Sequence, residues 1–175
     1  MPGLRALGKG SAASALSVLM TVITVLGWIG FVGSAVVLAA FIFVDLTGGE
    51  FQAAGIEVYE SVPLPTYIVA FAILFVVFIG FILMAGQLKK ILQTLIDGDP
   101  FVPENARRLN RLAMIVAGME ICRYVIGIAA GMFEVKTSVD FSVNLAAWVA
   151  VITLWVLSQV FAEGTRLREE EKMTI

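Results

Sequence analysis

The sequence has no histidine, a single cysteine and little charge, with Asp, Glu, Lys and Arg making up only 15% of its 175 residues. Without histidine there is no His-based catalytic triad and no His-ligated zinc or haem. One cysteine excludes an internal disulfide. A typical soluble domain is about 25% charged, so an ordinary soluble globule is excluded as well. No phosphate-binding glycine loop, nucleotide fingerprint or paired carboxylates in an apolar setting occur. The net charge of −2 gives no global attraction to nucleic acid. What is abundant is apolar surface: 59% hydrophobic residues and a mean hydropathy of +0.95. That balance belongs to an integral membrane protein.

A spanning helix needs about 20 mostly apolar residues. Gly10–Val44, Ser61–Leu88 and Phe141–Ala162 carry no charge at all, and Leu112–Phe133 carries only Glu120 and Arg123. These runs predict four spans, at about 15–43, 65–87, 112–133 and 141–162. The first is too long for a signal peptide, whose apolar core is about 7–15 residues, and reads as an uncleaved anchor. No internal repeat or domain boundary interrupts the chain, so residues 1–175 form one membrane domain. The expected fold is all-α, with four transmembrane helices in an antiparallel bundle.

Basic residues set the orientation. Arg5, Lys9, Lys89, Lys90, Arg107, Arg108, Arg111, Arg166, Arg168 and Lys172 all fall on one side of this topology, against Lys136 alone on the other. Both termini and the middle loop are expected in the cytoplasm, and the protein in a bacterial inner membrane. The outer loop, 45–64, carries Asp45, Glu50, Glu57 and Glu60 and no basic residue. Alternation around Ile56 and Val58 permits a short strand or hairpin there. Pro63 and Pro65 then break the chain before span two.

The middle loop is more ordered than a linker. Leu88, Ile91, Leu92, Leu95 and Ile96 recur at helical spacing, so span two is expected to continue as an amphipathic helix. Asp97-Gly98-Asp99-Pro100 is a helix stop. Phe101 and Val102 are an apolar pair that should pack, and Pro103-Glu104 suits a first helical turn. The result is a helical hairpin over 88–111 between helices 2 and 3, with Arg107, Arg108 and Arg111 largely on one side. Those arginines are either a surface for anionic lipid or an acidic partner, or simply the topology signal.

Inside the spans, Glu120 and Arg123 are spaced to pair on one face of span three. They form either a structural pair or part of a polar pathway, which Asn144, Gln159 and Gln87 can join. Cys122 reads as a small buried hydrophobe. Gly27, Gly30 and Gly33 in span one, and Gly127 and Gly131 in span three, mark close helix packing within the protein or between copies. Trp28, Trp148 and Trp155 read as packing or belt residues. No cofactor or metal site is expected.

The stretch Gly98-Asp99-Pro100-Phe101-Val102-Pro103-Glu104-Asn105-Ala106-Arg107-Arg108-Leu109 resembles the signature of small bacterial four-span proteins grouped as domain of unknown function 2975. With the layout of spans, the resemblance covers about residues 15–165 and leaves the last ten as a tail. It implies no activity and no catalytic residues. Members are often encoded beside a small helix-turn-helix regulator, which suggests a membrane partner that senses a signal and binds that regulator through the hairpin. Asp99, Pro100, Phe101, Pro103, Glu104, Asn105, Arg107, Arg108 and Arg111 are the candidate contacts. The alternatives are a small oligomeric transporter or channel using Glu120 and Arg123, or an accessory subunit of a larger membrane complex. An enzyme is not expected, and direct binding of nucleic acid is not expected either.

Overall fold

The computed structural model describes residues 12–47, 52–53, 56–57, 62–137 and 139–173. Arg5, Lys9 and the outer-loop residues Glu50, Val58 and Glu60 lie outside the described residues. Four helices carry the chain: α1 (Ala12–Thr47), α2 (Leu64–Ile96), α3 (Pro103–Met132) and α4 (Leu145–Met173). Each is long and apolar enough to cross a membrane, so this is a multi-pass membrane protein by helix length and composition. Two short strands, β1 (Gln52–Ala53) and β2 (Ile56–Glu57), pair antiparallel between α1 and α2.

At 1.5 Å per residue, α1 and α2 run about 50 Å, well beyond a hydrocarbon core of about 30 Å. Span two does continue without a break to Ile96, as the amphipathic spacing of 88–96 requires. Its end is a Schellman cap. The Gly98 amide donates to the Leu95 carbonyl (3.2 Å) and the Asp99 amide to Thr94 (3.0 Å), with Gly98 at φ +85°. Three residues after Pro100 the chain re-enters a helix at Pro103. Val102 is the N-cap and Glu104 lies in the first turn, so the acid meets the positive end of α3.

The helices touch in chain order. α1 packs on α2, α2 on α3 and α3 on α4, and among the described residues no other helix pair meets. The expected bundle is therefore an open row, with α1 and α4 at its ends. Lipid supplies no hydrophobic drive to close such a row, so helices stay together only where small residues or polar contacts bring them close. Those contacts are specific. A Cβ on Gly30 would lie 2.6 Å from the Phe78 ring, and one on Gly80 would lie 2.2 Å from the Met119 sulfur. Phe31 meets Phe75 and Phe78 edge to face.

Two expectations need correction. Span four starts at Leu145, not 141, because Phe141–Asn144 are used elsewhere. And residues 166–173 are not a free tail. α4 continues to Met173, and Arg168 forms an ion pair with Asp99 across 69 residues of sequence.

Candidate functional site

The hairpin between α2 and α3 is built around Asn105, which is fully buried. Its amide nitrogen donates to Thr94 Oγ1 (2.6 Å) and to the Pro100 carbonyl (2.9 Å). Its amide oxygen accepts from Arg108 Nη1 (2.8 Å), and the same nitrogen of Arg108 donates to the Lys90 carbonyl (3.0 Å). One side chain thus joins the end of α2, the turn and the start of α3. Asn105 suits this because it offers donors and acceptors at one short branch.

The expected contact residues divide into four groups. Asn105 and Arg108 hold the hairpin together from inside. Asp99 and Phe101 face α4: Phe101 stacks on Phe161 at 5.6 Å and lies against Gly164, next to the Asp99–Arg168 pair. Pro100 and Pro103 shape the turn. That leaves Glu104, Arg107 and Arg111 as exposed residues on the outside. Arg107 and Glu104 pair loosely at 3.5 Å, with the arginine side chain 70% exposed. Thr94, Phe161 and Arg168 were missed in the sequence; a threonine on the polar face of an amphipathic helix gives no sign of a partner eleven residues on.

The second polar centre is the Glu120–Arg123 pair. Arg123 Nη2 lies 2.7 Å from Glu120 Oε2, and Glu120 is only 8% exposed. Arg123 also donates to the carbonyls of Asp140 (2.5 Å) and Ser142 (2.7 Å). Those two residues belong to the linker before α4, yet Arg123 sits roughly two and a half turns inside the end of α3. The linker therefore folds back along α3, and Phe141 fills the notch at Gly127. Arg123 supplies donors to a stretch of non-helical backbone, which apolar surroundings would otherwise leave unpaired. The guanidinium also lies 5.0 Å over the Tyr124 ring, whose hydroxyl accepts from Trp148 Nε1 (3.1 Å).

Asp140 stiffens the same linker. Its carboxylate accepts from the Ser142 amide (2.8 Å) and hydroxyl (2.9 Å), and these bonds, with Arg123 adding to them, hold its pKa below the ordinary value. Asn144 caps α4 by accepting from the Ala147 amide (3.3 Å), and so does not join the ion pair. Neither do Gln159, which is exposed, and Gln87, whose buried amide oxygen has no partner among the described residues. A cavity of about 100 Å³ lies beside the pair, walled by Val76, Met119, Ile126 and Phe141 among others.

The glycines separate by surroundings. Gly27, Gly30 and Gly127 are at close contacts, whereas a Cβ on Gly33 or Gly131 would meet nothing within 4 Å. Cys122 is exposed rather than buried, in an apolar groove with Phe71, Phe75 and Val125. Of the tryptophans, Trp28 meets Phe31 edge to face and Trp155 is exposed. Among the described residues no group of His, Cys, Asp and Glu can hold a metal ion.

A family model described as "Protein of unknown function (DUF2975)" matches residues 50–175. The match includes the hairpin, the ion pair and the whole of α4, and begins after α1. No curated protein and no solved structure matches the chain.

Proposed function

The chain belongs to the family of proteins of unknown function DUF2975, and from that premise we propose a membrane-anchored interaction protein, without catalytic activity, whose inner hairpin docks a cytoplasmic partner. In this reading the helices form an antiparallel array in a bacterial inner membrane. The hairpin and both termini face the cytoplasm. Ten basic residues on that side against one on the other support the orientation. The observation that carries the proposal is the buried Asn105. It holds the hairpin in one shape from inside, while Arg107 and Arg111 stay exposed outside. A rigid basic surface of this kind suits an acidic patch on a protein, where exposed charge sets encounter rate and register more than raw affinity. The family resemblance suggests a small helix-turn-helix regulator as that partner, with the protein holding or releasing it in response to a signal.

The test is in-cell crosslinking of the tagged protein, followed by mass spectrometry. A small DNA-binding protein crosslinked within residues 89–111 is expected. It should be lost in an Arg107→Glu/Arg111→Glu variant that still inserts in the membrane. Undiminished crosslinking in that variant overturns the hairpin as the contact.

A second reading draws on the open row of helices. Among the described residues α1 and α4 each have one flank with no neighbouring helix, which favours a homo-oligomer or a larger membrane complex that covers them. Migration as a defined assembly in mild detergent supports it, and a monomer under those conditions rejects it. Transport through Glu120 and Arg123 has less support, because the Arg123 donors are already engaged by Glu120 and two backbone carbonyls.

A further inference from the structure

Between α1 and α2, beside the start of the hairpin, lies a groove of about 430 Å³. Thr21, Thr24 and Val25 line it from α1, and Gly86, Lys89, Lys90 and Gln93 from α2. It is distinct from the exposed arginines on α3 and does not depend on the hairpin having a partner.

The groove has two chemical halves. Lys89 and Lys90 bring two ammonium groups to it. Neither has an ion-pair partner among the described residues, and no carboxylate lines the groove. Gln93 adds an amide, which also donates to Asp97 at 3.3 Å. The threonine hydroxyls donate backward, Thr21 to the Ser17 carbonyl (3.0 Å) and Thr24 to that of Met20 (2.8 Å), so the ammonium groups are the free donors. The rest of the wall is apolar. Gly86 leaves open space, since a Cβ there would meet nothing within 4 Å.

Position narrows the occupant. The charge-free run of span two ends at Leu88, so Lys89 and Lys90 are its first charges, at the level where a bilayer changes from hydrocarbon to headgroup. A ligand here must carry an anion and an apolar part in one molecule. We propose that this groove binds an anionic phospholipid, with its phosphate at Lys89 and Lys90 and its glycerol and first methylenes along Val25 and Gly86. Basic pockets between spanning helices on the cytoplasmic side are suited to lipid headgroups.

The experiment uses the full chain in mild detergent and native mass spectrometry. Phosphatidylglycerol, phosphatidylcholine with the same acyl chains, and inorganic phosphate serve as probes. One phosphatidylglycerol per chain is expected, bound at least about ten-fold more tightly than phosphatidylcholine. Lys89→Ala/Lys90→Ala should weaken it by about 30-fold, from the contribution of two basic residues near an anionic surface. Gly86→Leu fills the groove with both lysines in place, and should also lower occupancy. Lys136→Ala, on the other side of the membrane, should change nothing. Equal binding of the two lipids, or unchanged binding in the double lysine variant, overturns the proposal. Displacement of the lipid by millimolar inorganic phosphate also overturns it, because the site would then take a free anion.

Discussion

Arg168, near the end of α4, is ion-paired with Asp99, in the turn that joins α2 to α3. The pair ties the end of α4 to the hairpin and turns an apparent tail into part of it. Both side chains are about 40% exposed, so solvent limits the pair to about 0.5–1 kcal/mol. Arg168→Ala should leave global stability nearly unchanged and raise amide hydrogen exchange at residues 164–173. Exchange of charges in Asp99→Arg/Arg168→Asp should restore most of the protection. Equal exchange in parent and Arg168→Ala would show that Phe101 and Phe161 alone hold α4 there.

Asn105→Leu should be the most damaging change in the hairpin. It removes three hydrogen bonds of a side chain with no exposure and leaves the Pro100 carbonyl, Thr94 and Arg108 without that partner. With about 1–3 kcal/mol for each buried group left unpaired, a loss of about 3 kcal/mol is expected in reversible unfolding in detergent. Asn105→Asp keeps the shape and the bond from Arg108 but loses both amide donors, so it should fall between. A loss under about 1 kcal/mol for the leucine variant would mean that the turn does not rely on this network.

The extents of the helices were legible because hydropathy and charge are one-dimensional signals. An uncharged run declares a span, and Asp97-Gly98-Asp99-Pro100 declares a stop. Pro103-Glu104 likewise announced α3 at its first residue. The failures share a different cause. Asn105 looks like a surface residue at the start of a helix, and only the arrival of Thr94 from α2 accounts for its burial. Phe101 reads as a residue that packs, but nothing in the sequence points to Phe161 of α4 as its partner. The start of α4 was misplaced because Phe141–Asn144 is as apolar as a helix, yet it packs against Gly127 and under Arg123. Closure of the bundle was not legible either. Apolar helices look the same in sequence whether lipid or another helix covers them.

Arg123→Met tests whether the ion pair is a clamp. The change leaves the Glu120 charge buried and frees the carbonyls of Asp140 and Ser142. Breaking a buried pair by removing one partner costs about 3–5 kcal/mol. Arg123→Lys keeps the charge but cannot span Glu120 and both carbonyls, so a partial loss is expected. Glu120→Gln keeps an acceptor for Arg123 and should be milder still. Reconstituted vesicles should show no ion or proton flux that depends on Glu120. A flux abolished by Glu120→Gln with the fold intact would move the pair from clamp to pathway.

Acid should loosen the linker only at low pH. The Ser142 amide and hydroxyl stabilise the charged form of Asp140, so its folded pKa is below its unfolded one. A depressed carboxylate contributes stability above its unfolded pKa, near 4, and loses that contribution as pH falls through the folded value. With Trp28 and Trp155 replaced by phenylalanine, Trp148 fluorescence reports on the start of α4. It should be flat from about pH 7 to 5 and change only below about pH 4. In Asp140→Asn that acid step should be absent. A transition near neutral pH would assign the linker's pH response to another group.

Glycine substitutions should differ in sign along a single helix. Gly30 and Gly33 are one turn apart in α1, both in an apolar run, and sequence pattern treats them alike. At Gly30 an added methyl meets the Phe78 ring at 2.6 Å, so either the ring or the whole of α2 must move. Phe78 also meets Phe31, which limits how far the ring can turn. Gly30→Ala should therefore destabilise, by the about 1–3 kcal/mol typical of overpacking. At Gly33 nothing lies within 4 Å, and the same change brings only the better helix propensity of alanine, about 0.8–1.0 kcal/mol in water. Gly33→Ala should be neutral or stabilising in the same unfolding assay. If Gly33→Ala instead destabilises in a way that depends on protein concentration, the open face at Gly33 is covered by a second copy of the chain. The small residue would then be serving an interface between protomers, as it does at Gly30 between α1 and α2.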